Sequence, residues 1–151
     1  MKSHCRIALA VAMLALAVPA GVANAEQAAG PADRMIDKMN DVRAQHGLRA
    51  LRKAPKLATS SNDFAGHLIR TDSFGHGSSY FAAGFRRSGE IIAIHRGWSR
   101  RPSPVLRQWL RSSVHRELIL DRSFRYVGTG PARGYFGGAP TTIWVAHFGA
   151  H

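Results

Sequence analysis

Cysteine is almost absent from this sequence: Cys5 is the single one among 151 residues. Cys5 lies in a basic start, ahead of an apolar stretch at residues 7–18 and a small-residue end, Ala23-Asn24-Ala25. These features together are typical of a secretory signal peptide, so we expect residues 1–25 to be cleaved off. The mature chain then has no cysteine, which excludes disulfides and thiol chemistry.

Long apolar runs are also scarce. The stretch at residues 7–18 is too short to span a bilayer comfortably, and no second run of that kind follows it. We therefore expect an exported protein, either periplasmic or secreted, that does not span a membrane. Residues 26–32 are interpreted as a flexible leader, and residues 33–151 as one domain of ordinary size that is a monomer.

Acidic side chains are few, with 9 Asp and Glu against 21 Lys and Arg and a formal charge of +12. Loss of Lys2 and Arg6 with the signal peptide leaves +10. A basic exported protein meets anionic lipids and envelope polymers, which are its candidate partners. The simpler interpretation is a solvated basic face. No stacking aromatics alternate with the arginines, so a specific nucleic-acid site is not expected.

The spacing of apolar residues predicts helices in the first half of the chain. A first helix is expected over residues 33–47, with Asp33 as its cap and Gly47 as its end. A second helix is expected from about Pro55 to about Arg70. These two helices supply one side of the predicted core.

The second half of the chain is predicted to mix loops, strands and a helix. Residues 71–89 are interpreted as an ordered loop and residues 89–94 as a short strand. A helix from about Pro104 leads into the segment around His115. Two extended runs within residues 125–149 predict an antiparallel hairpin with a Gly-rich turn. Helices first and a hairpin last indicate an α+β fold.

Common catalytic motifs are missing. The sequence has no HExxH zinc motif, no GxSxG nucleophile elbow and no Gly-rich phosphate loop. Three polar residues stand out by their setting: His76 between glycines, Glu90 before an apolar run, and His115 at the edge of an apolar helix. A lone histidine near apolar residues is usually packed and hydrogen-bonded, and a lone glutamate at the start of a segment is usually a cap or a solvated charge.

Six short motifs occur in an order that resembles a known family. They are Asn40-Asp41-Val42-Arg43 with His46-Gly47-Leu48, Phe74-Gly75-His76, Gly89-Glu90-Ile91-Ile92-Ala93, Trp109 with Ser112, Ser113, His115 and Arg116, Val127-Gly128-Thr129-Gly130, and Trp144 with Phe148-Gly149. From about residue 33 to residue 149 the chain resembles the CAP superfamily of cysteine-rich secretory, antigen 5 and pathogenesis-related proteins. It is most similar to the short bacterial SCP-like extracellular members.

The resemblance implies an α-β-α sandwich with a small antiparallel sheet of three or four strands between helices. It also implies that His76, Glu90 and His115 converge in a central cleft as ligand-binding residues. Two imidazoles and a carboxylate suit Zn²⁺ with an open fourth position, so these three residues are the candidate metal ligands. The alternative is that Glu90 orients a histidine through a ring N–H.

The sequence departs from the family pattern in two places. Many members have a further acid before the second histidine, but residues 91–114 contain no Asp or Glu, and Ile91 stands where the family has asparagine. A site with less negative charge is expected to hold a metal more weakly and to be less suited to acid–base catalysis by two carboxyl groups. His95 and His147 are interpreted as surface histidines rather than replacements.

Three functions are compatible with these observations. The favoured one is a non-catalytic extracellular or envelope module that binds a lipid, a small ligand or an anionic polymer. The second is an envelope hydrolase, either metal-dependent or built from Ser112 or Ser113 with His115, although close neighbours on a helix do not face each other. The third is structural: the three polar residues bond to one another and join the two sides of the sandwich.

Overall fold

The computed structural model describes residues 29–77 and 84–151. The predicted signal peptide and most of the leader lie outside the described residues, as do residues 78–83 of the predicted loop. The elements in chain order are α1 (Pro31–Gln45), β1 (Arg52–Lys53), α2 (Pro55–Arg70), β2 (Arg87–Arg96), α3 (Pro102–Arg111), α4 (Ser113–Leu120), β3 (Tyr126–Phe136) and β4 (Ala139–Ala150).

The strands form one sheet in the order β1-β3-β4-β2. β4 pairs antiparallel with both β2 and β3, and the short β1 pairs parallel with β3. The predicted hairpin is confirmed, and its turn is tight: Gly137 and Gly138 connect the strands, with φ of 56° and 71°. Positive φ at both central positions is what a type I′ hairpin turn requires, and glycine adopts it without steric cost.

Helices cover both faces of the sheet. Successive strand residues point to opposite faces, and apolar strand residues occur on both, so each face is buried under helices. One face packs against α1, α3 and α4 through a cluster that includes Met39, Trp109 and Ile119 with Ile91 and Trp144. The other face packs against α2 through a second cluster. That cluster contains Phe64, Ala65, Leu68, Ile92, Ile143 and Val145. The α+β sandwich expected from the resemblance is confirmed.

Glycines on β3 allow α2 to lie directly on the sheet. A Cβ at Gly128 would lie 2.0 Å from the Ala58 nitrogen and 2.1 Å from the Leu57 carbonyl carbon. A Cβ at Gly130 would lie 2.6 Å from the Asn62 nitrogen. No real Cβ fits at these distances, so the Gly-Thr-Gly segment sets the separation between α2 and the sheet.

The helix boundaries correct two predictions. α1 begins at Pro31 with Gly30 as N-cap, so the prediction that Asp33 caps this helix is wrong. Proline is favoured in the first turn because it has no N–H to leave unpaired, and Asp33 instead pairs with Lys53. The helix expected from about Pro104 begins at Pro102 and ends at Arg111, and a break at Ser112 separates it from the helix that holds His115.

Strand β2 is an edge strand, and α3 packs beside it. The indole N–H of the fully buried Trp109 donates to the Ile92 carbonyl at 3.1 Å. An exposed edge would offer unpaired backbone groups to another chain, and this bond occupies one of them. Within the described residues, no helix is long and apolar enough to cross a membrane.

Candidate functional site

Glu90 is the centre of the polar network that the structure reveals. It follows Gly89 on β2, and its side chain is 3% exposed. Ile91 belongs to the cluster beneath α1 and Ile92 to the cluster beneath α2, so alternation places Glu90 on the α2 side with Ile92. Its Oε1 accepts hydrogen bonds from His76 Nδ1 at 2.7 Å and from the Gly77 amide at 3.2 Å.

His147 on β4 supplies the other partner of Glu90. Glu90 and His147 lie directly opposite each other in the β2–β4 register, so their side chains project from the same face. His147 Nε2 donates to Glu90 Oε2 at 2.9 Å, and the imidazole is fully buried. The interpretation of His147 as a surface histidine is therefore wrong. The sequence does not reveal which strand lies beside β2, and that pairing is the signal that would have identified His147.

Ser60 extends this network from the sheet to α2, the helix that covers the same face. Its Oγ lies 2.8 Å from His147 Nδ1 and 3.1 Å from the Leu57 carbonyl oxygen. With neutral His147, the Ser60 hydroxyl donates to Nδ1. With protonated His147, Nδ1–H donates to Ser60, whose own proton then goes to Leu57. The network of His76, Glu90, His147 and Ser60 thus connects the loop after α2, two strands and α2 itself.

The environment of Glu90 favours its charged form. Burial by itself would raise the pKa of this carboxyl group, but hydrogen bonds from His147, His76 and the Gly77 amide outweigh burial and lower the pKa below its ordinary value of 4.5. Glu90 is therefore a carboxylate at neutral pH. Both of its oxygens are occupied by donors, which suits a structural or orienting role better than that of a general base.

His76 and His115 lie at the outer side of this network. His76 is held through Nδ1, while its side chain is 62% exposed. His115 is half-buried on α4 and makes no hydrogen bond to Glu90; its Nδ1 is buried without a partner among the described residues. Burial, followed by the charge of the nearby His76, lowers the pKa of His115. The structure thus joins His76 directly to Glu90 and brings His115 near His76 through space.

Helix α4 approaches β2 from the face opposite Glu90. A Cβ at Gly89 would lie 2.9 Å from Leu118 Cδ2 and 3.0 Å from Phe124 Cζ, so the glycine of the Gly-Glu motif makes room for this packing. Because β2 is the edge strand, residues from the two faces can meet around its free side. At this edge His76 bonds to Glu90 on β2, and His115 on α4 lies within electrostatic range of His76.

The three predicted metal ligands do not form a ready coordination shell. No group of three or more His, Cys, Asp or Glu that could hold a metal is found in residues 29–77 and 84–151. Glu90 uses both oxygens in hydrogen bonds. His115 Nδ1 has no hydrogen-bond partner among the described residues, and the exposed ring of His76 is bonded to Glu90 through Nδ1. Among the described residues, Glu90 therefore orients His76 through its Nδ1–H and forms no coordination shell with His76 and His115.

The remaining candidate residues lie apart from this network. Ser112 separates α3 from α4 and Ser113 begins α4, and neither bonds His115 Nδ1, since that atom has no partner in the described part of the chain. His95 is half-buried on β2, and burial lowers its pKa. For the serine-histidine hydrolase expected as an alternative, no serine in the described part of the chain is bonded to His115 Nδ1 as a preformed nucleophile.

A separate cavity opens near the amino end of α2. It has a volume of about 330 Å³ and is lined by Lys53, Ala54, Pro55, Lys56, Gly84, Phe85, Tyr126 and His151. Its aromatic rings contact one another: Phe85 stacks on His151 with ring centroids 4.9 Å apart, and Tyr126 lies edge-on to His151 at 5.1 Å. We call it the aromatic cavity. It combines apolar walls with lysines at its border.

The family is shown by comparison with known proteins. The profile of the cysteine-rich secretory protein family, CAP, matches residues 36–148. The chain belongs to the CAP family. The resemblance drawn from the six motifs is thereby confirmed, although the cysteines in the family's name are absent from this CAP domain. No curated protein matches the sequence.

Solved structures of CAP domains share the fold. An extracellular protein containing an SCP domain from Bacillus anthracis superposes with a TM-score of 0.65 at 21% identity, over 81% of this chain and 41% of that one. An outer surface protein from Borrelia burgdorferi superposes with a TM-score of 0.63 at 19% identity, over 78% of this chain and 90% of that one. Venom allergen-like protein 4 from Schistosoma mansoni superposes with a TM-score of 0.67 at 12% identity, over 81% of this chain and 89% of that one.

These likenesses extend to the fold alone, because all three identities are low. The chain spans about two fifths of the Bacillus protein but nearly the whole of the Borrelia protein. The first of these proteins is described as extracellular and the second as an outer surface protein.

Proposed function

We propose that the protein is an exported, non-catalytic CAP module that binds an amphipathic anion of the lipid class, such as a fatty acid. The observation that carries this proposal is the aromatic cavity. Its volume of about 330 Å³ lies at the lower end of small-ligand pockets, and its walls are mainly apolar with a few polar groups, as such pockets usually are. Lys56 at the border suits a carboxylate, whereas Lys53 is already paired with Asp33. Phe85, Tyr126 and His151 suit an acyl chain.

The polar network supports a binding rather than a catalytic function. A general base must have a lone pair free to accept a proton from a substrate or a water molecule. The Glu90 side chain is nearly inaccessible to solvent, and each of its oxygens already accepts a hydrogen bond. His147 is fully buried between Glu90 and Ser60. These groups join α2 and the loop that follows it to the strands β2 and β4.

Calorimetric titration of residues 26–151 with decanoate and with decanol tests this proposal. We expect both to bind, and Tyr126→Ala to weaken both because it removes an aromatic wall. Lys56→Gln should weaken decanoate about two- to five-fold and leave decanol unchanged, since an exposed charge pair contributes less than about 1 kcal/mol. Lys38→Gln, on α1 and outside the cavity lining, is the charge-matched control. No heat with either ligand, from protein with a native circular dichroism spectrum, would overturn the proposal.

A metal held by His76 and His115 is a second candidate, favoured by the orphaned Nδ1 of His115. Bound Zn²⁺ would supply a Lewis acid or an activated water at that edge of the sheet. Glu90 would fix the ring of His76 in either case. Zinc titration should show one site that is lost in both His76→Ala and His115→Ala and retained in His46→Ala, which removes an exposed histidine at the end of α1. Equal binding by all four proteins would exclude this site.

A further inference from the structure

A second cavity lies where α1 ends, and its walls are mostly arginine. It has a volume of about 270 Å³ and is formed by the turn after α1 and the segment between α4 and β3. We call it the arginine cavity. Its lining residues are Arg43, Gly47, Leu48, Arg49, Arg122 and Arg125.

Arg43 is the buried member of this set. Its side chain is 0% exposed, and it donates from Nε to the Arg49 carbonyl at 2.9 Å. Its Nη1 donates to the carbonyls of Ile119 at 2.6 Å and Asp121 at 3.0 Å. Nη2 has no hydrogen-bond partner in the described part of the chain. A buried donor left unpaired is destabilising, so an acceptor at Nη2 would be stabilising.

The charges around Arg43 are poorly balanced. Burial and, next, the positive charge of Arg125 lower the pKa of Arg43, and Asp121 only partly opposes them. Asp121 is itself engaged, with Oδ1 accepting from Ser123 and Oδ2 from Arg87. Arg49 and Arg122 are exposed and add two more positive charges at the opening. An anion in the cavity would reduce this repulsion.

We infer that the arginine cavity binds a phosphate group. Guanidinium groups recognise phosphate oxygens through paired, charge-assisted hydrogen bonds, and several of them can surround one tetrahedral anion. The unpaired Nη2 of Arg43 would donate at the buried end, with Arg49, Arg122 and Arg125 around the opening. The phosphate belongs either to a free small molecule or to a lipid headgroup. This site is distinct from the aromatic cavity and does not depend on the function proposed for it.

Titration of residues 26–151 with inorganic phosphate, against chloride at equal ionic strength, tests the inference. The test variant is Arg49→Gln with Arg122→Gln, because both side chains are exposed and their loss should leave the fold intact. Arg43→Gln is avoided, since Arg43 holds three backbone carbonyls. The matched control is Arg100→Gln with Arg111→Gln, which removes the same charge from exposed positions outside the cavity. We expect phosphate affinity to fall about ten-fold in the test variant and to change little in the control.

Two further measurements separate the sources of the phosphate and locate it. Co-sedimentation with vesicles of phosphatidylcholine and phosphatidylglycerol should fall in the test variant, relative to the control, if the ligand is a headgroup. The side-chain Nε–H resonance of Arg43 should shift on addition of inorganic phosphate if the ion reaches the buried end. The inference is overturned if the two double variants bind inorganic phosphate equally and also bind the vesicles equally. Binding would then reflect net charge alone.

Discussion

At the scale of single residues, Glu90 is the side chain on which most of the site depends. Its two oxygens connect a loop residue, a backbone amide and a residue of the neighbouring strand. A carboxylate is buried stably only when donors surround it. His76 and His147 therefore keep Glu90 charged, and Glu90 in turn fixes the tilt and tautomer of both rings.

Replacement of Glu90 should destabilise the domain. Glu90→Gln keeps the shape but places an amide N–H₂ where a histidine donor needs an acceptor, so we expect a loss of about 1–3 kcal/mol in the free energy of unfolding at pH 7. Urea denaturation measures it. Glu117→Gln, at an exposed carboxylate on α4, should stay within about 0.5 kcal/mol of the wild type. Equal stabilities of the two variants would contradict the structural role of Glu90.

The same substitution has a pH signature. The folded-state pKa of Glu90 is lowered, so its stabilising contribution is present above pH 4.5 and is lost as the pH falls through the folded-state pKa. The difference in unfolding free energy between wild type and Glu90→Gln should therefore shrink below pH 4.5. A difference that stays constant down to strongly acidic pH would show that the charge of Glu90 is not what stabilises the fold.

His115 should titrate below its ordinary value of 6.5, because burial and then the charge of His76 lower its pKa. A lowered pKa means that the folded state binds this proton less tightly than the unfolded chain. The contribution of His115 to the free energy of unfolding is thus complete above pH 6.5. It declines as the pH drops toward the folded-state pKa of His115. Proton NMR titration should show the pKa of His115 rising in His76→Ala yet staying below 6.5. No change in that variant would mean that the two rings do not interact.

At the scale of elements, the contact between α2 and β3 sets the geometry of the network. Ser60 reaches His147 only because α2 lies directly on the sheet, over Gly128 and Gly130. Ser61 adds a second link: its hydroxyl donates to the Gly128 carbonyl at 3.0 Å and accepts from the His147 amide at 3.2 Å. Side chains on β3 at these two positions would push the helix away and break the bond to His147.

Gly128→Ala should therefore be strongly destabilising. The added methyl group would meet backbone atoms of Leu57 and Ala58, which cannot rotate away, and overpacking of this kind costs about 1–3 kcal/mol or more. Gly75→Ala is the control, since a Cβ there meets nothing within 4 Å. Thermal unfolding compares the two, and a Gly128 variant as stable as the Gly75 variant would contradict the close approach of α2.

At the scale of the whole molecule, the sheet connects two hydrophobic clusters. Neighbouring residues of one strand, such as Val145 and Ala146, belong to different clusters because they point to opposite faces. Loss of either cluster exposes one side of the same strands. The domain should therefore unfold as a single cooperative unit.

Phe64→Ala tests this cooperativity. Phe64 packs in the cluster beneath α2, whereas the buried Trp109 and Trp144 report on the opposite cluster. We expect a loss of about 3–5 kcal/mol. The urea transition followed by tryptophan fluorescence should move together with the one followed by circular dichroism. A shift in circular dichroism alone would show that the two halves unfold independently.

Local patterns in the sequence determined the elements and the family. The second helix, the edge strand containing Glu90 and the final hairpin follow from apolar spacing and turn glycines, which act between close neighbours in the chain. The ordered motifs identified the CAP domain and singled out His76, Glu90 and His115. Asp33 is a typical capping residue, but Pro31 starts the helix two residues earlier and Lys53, distant in the sequence, pairs with the Asp33 carboxylate.

Tertiary structure alone decided what surrounds those residues. His147 is opposite Glu90 because β4 pairs with β2 in one particular register, and a register between distant strands depends on packing over the whole sheet. The sequence likewise placed Arg43 in a family motif, but only the fold buried it with one unpaired nitrogen among other arginines. Helices, strands and turns can be predicted from the sequence because they depend on residues close together in the chain. The partners of a buried charge are set by contacts between residues far apart in sequence.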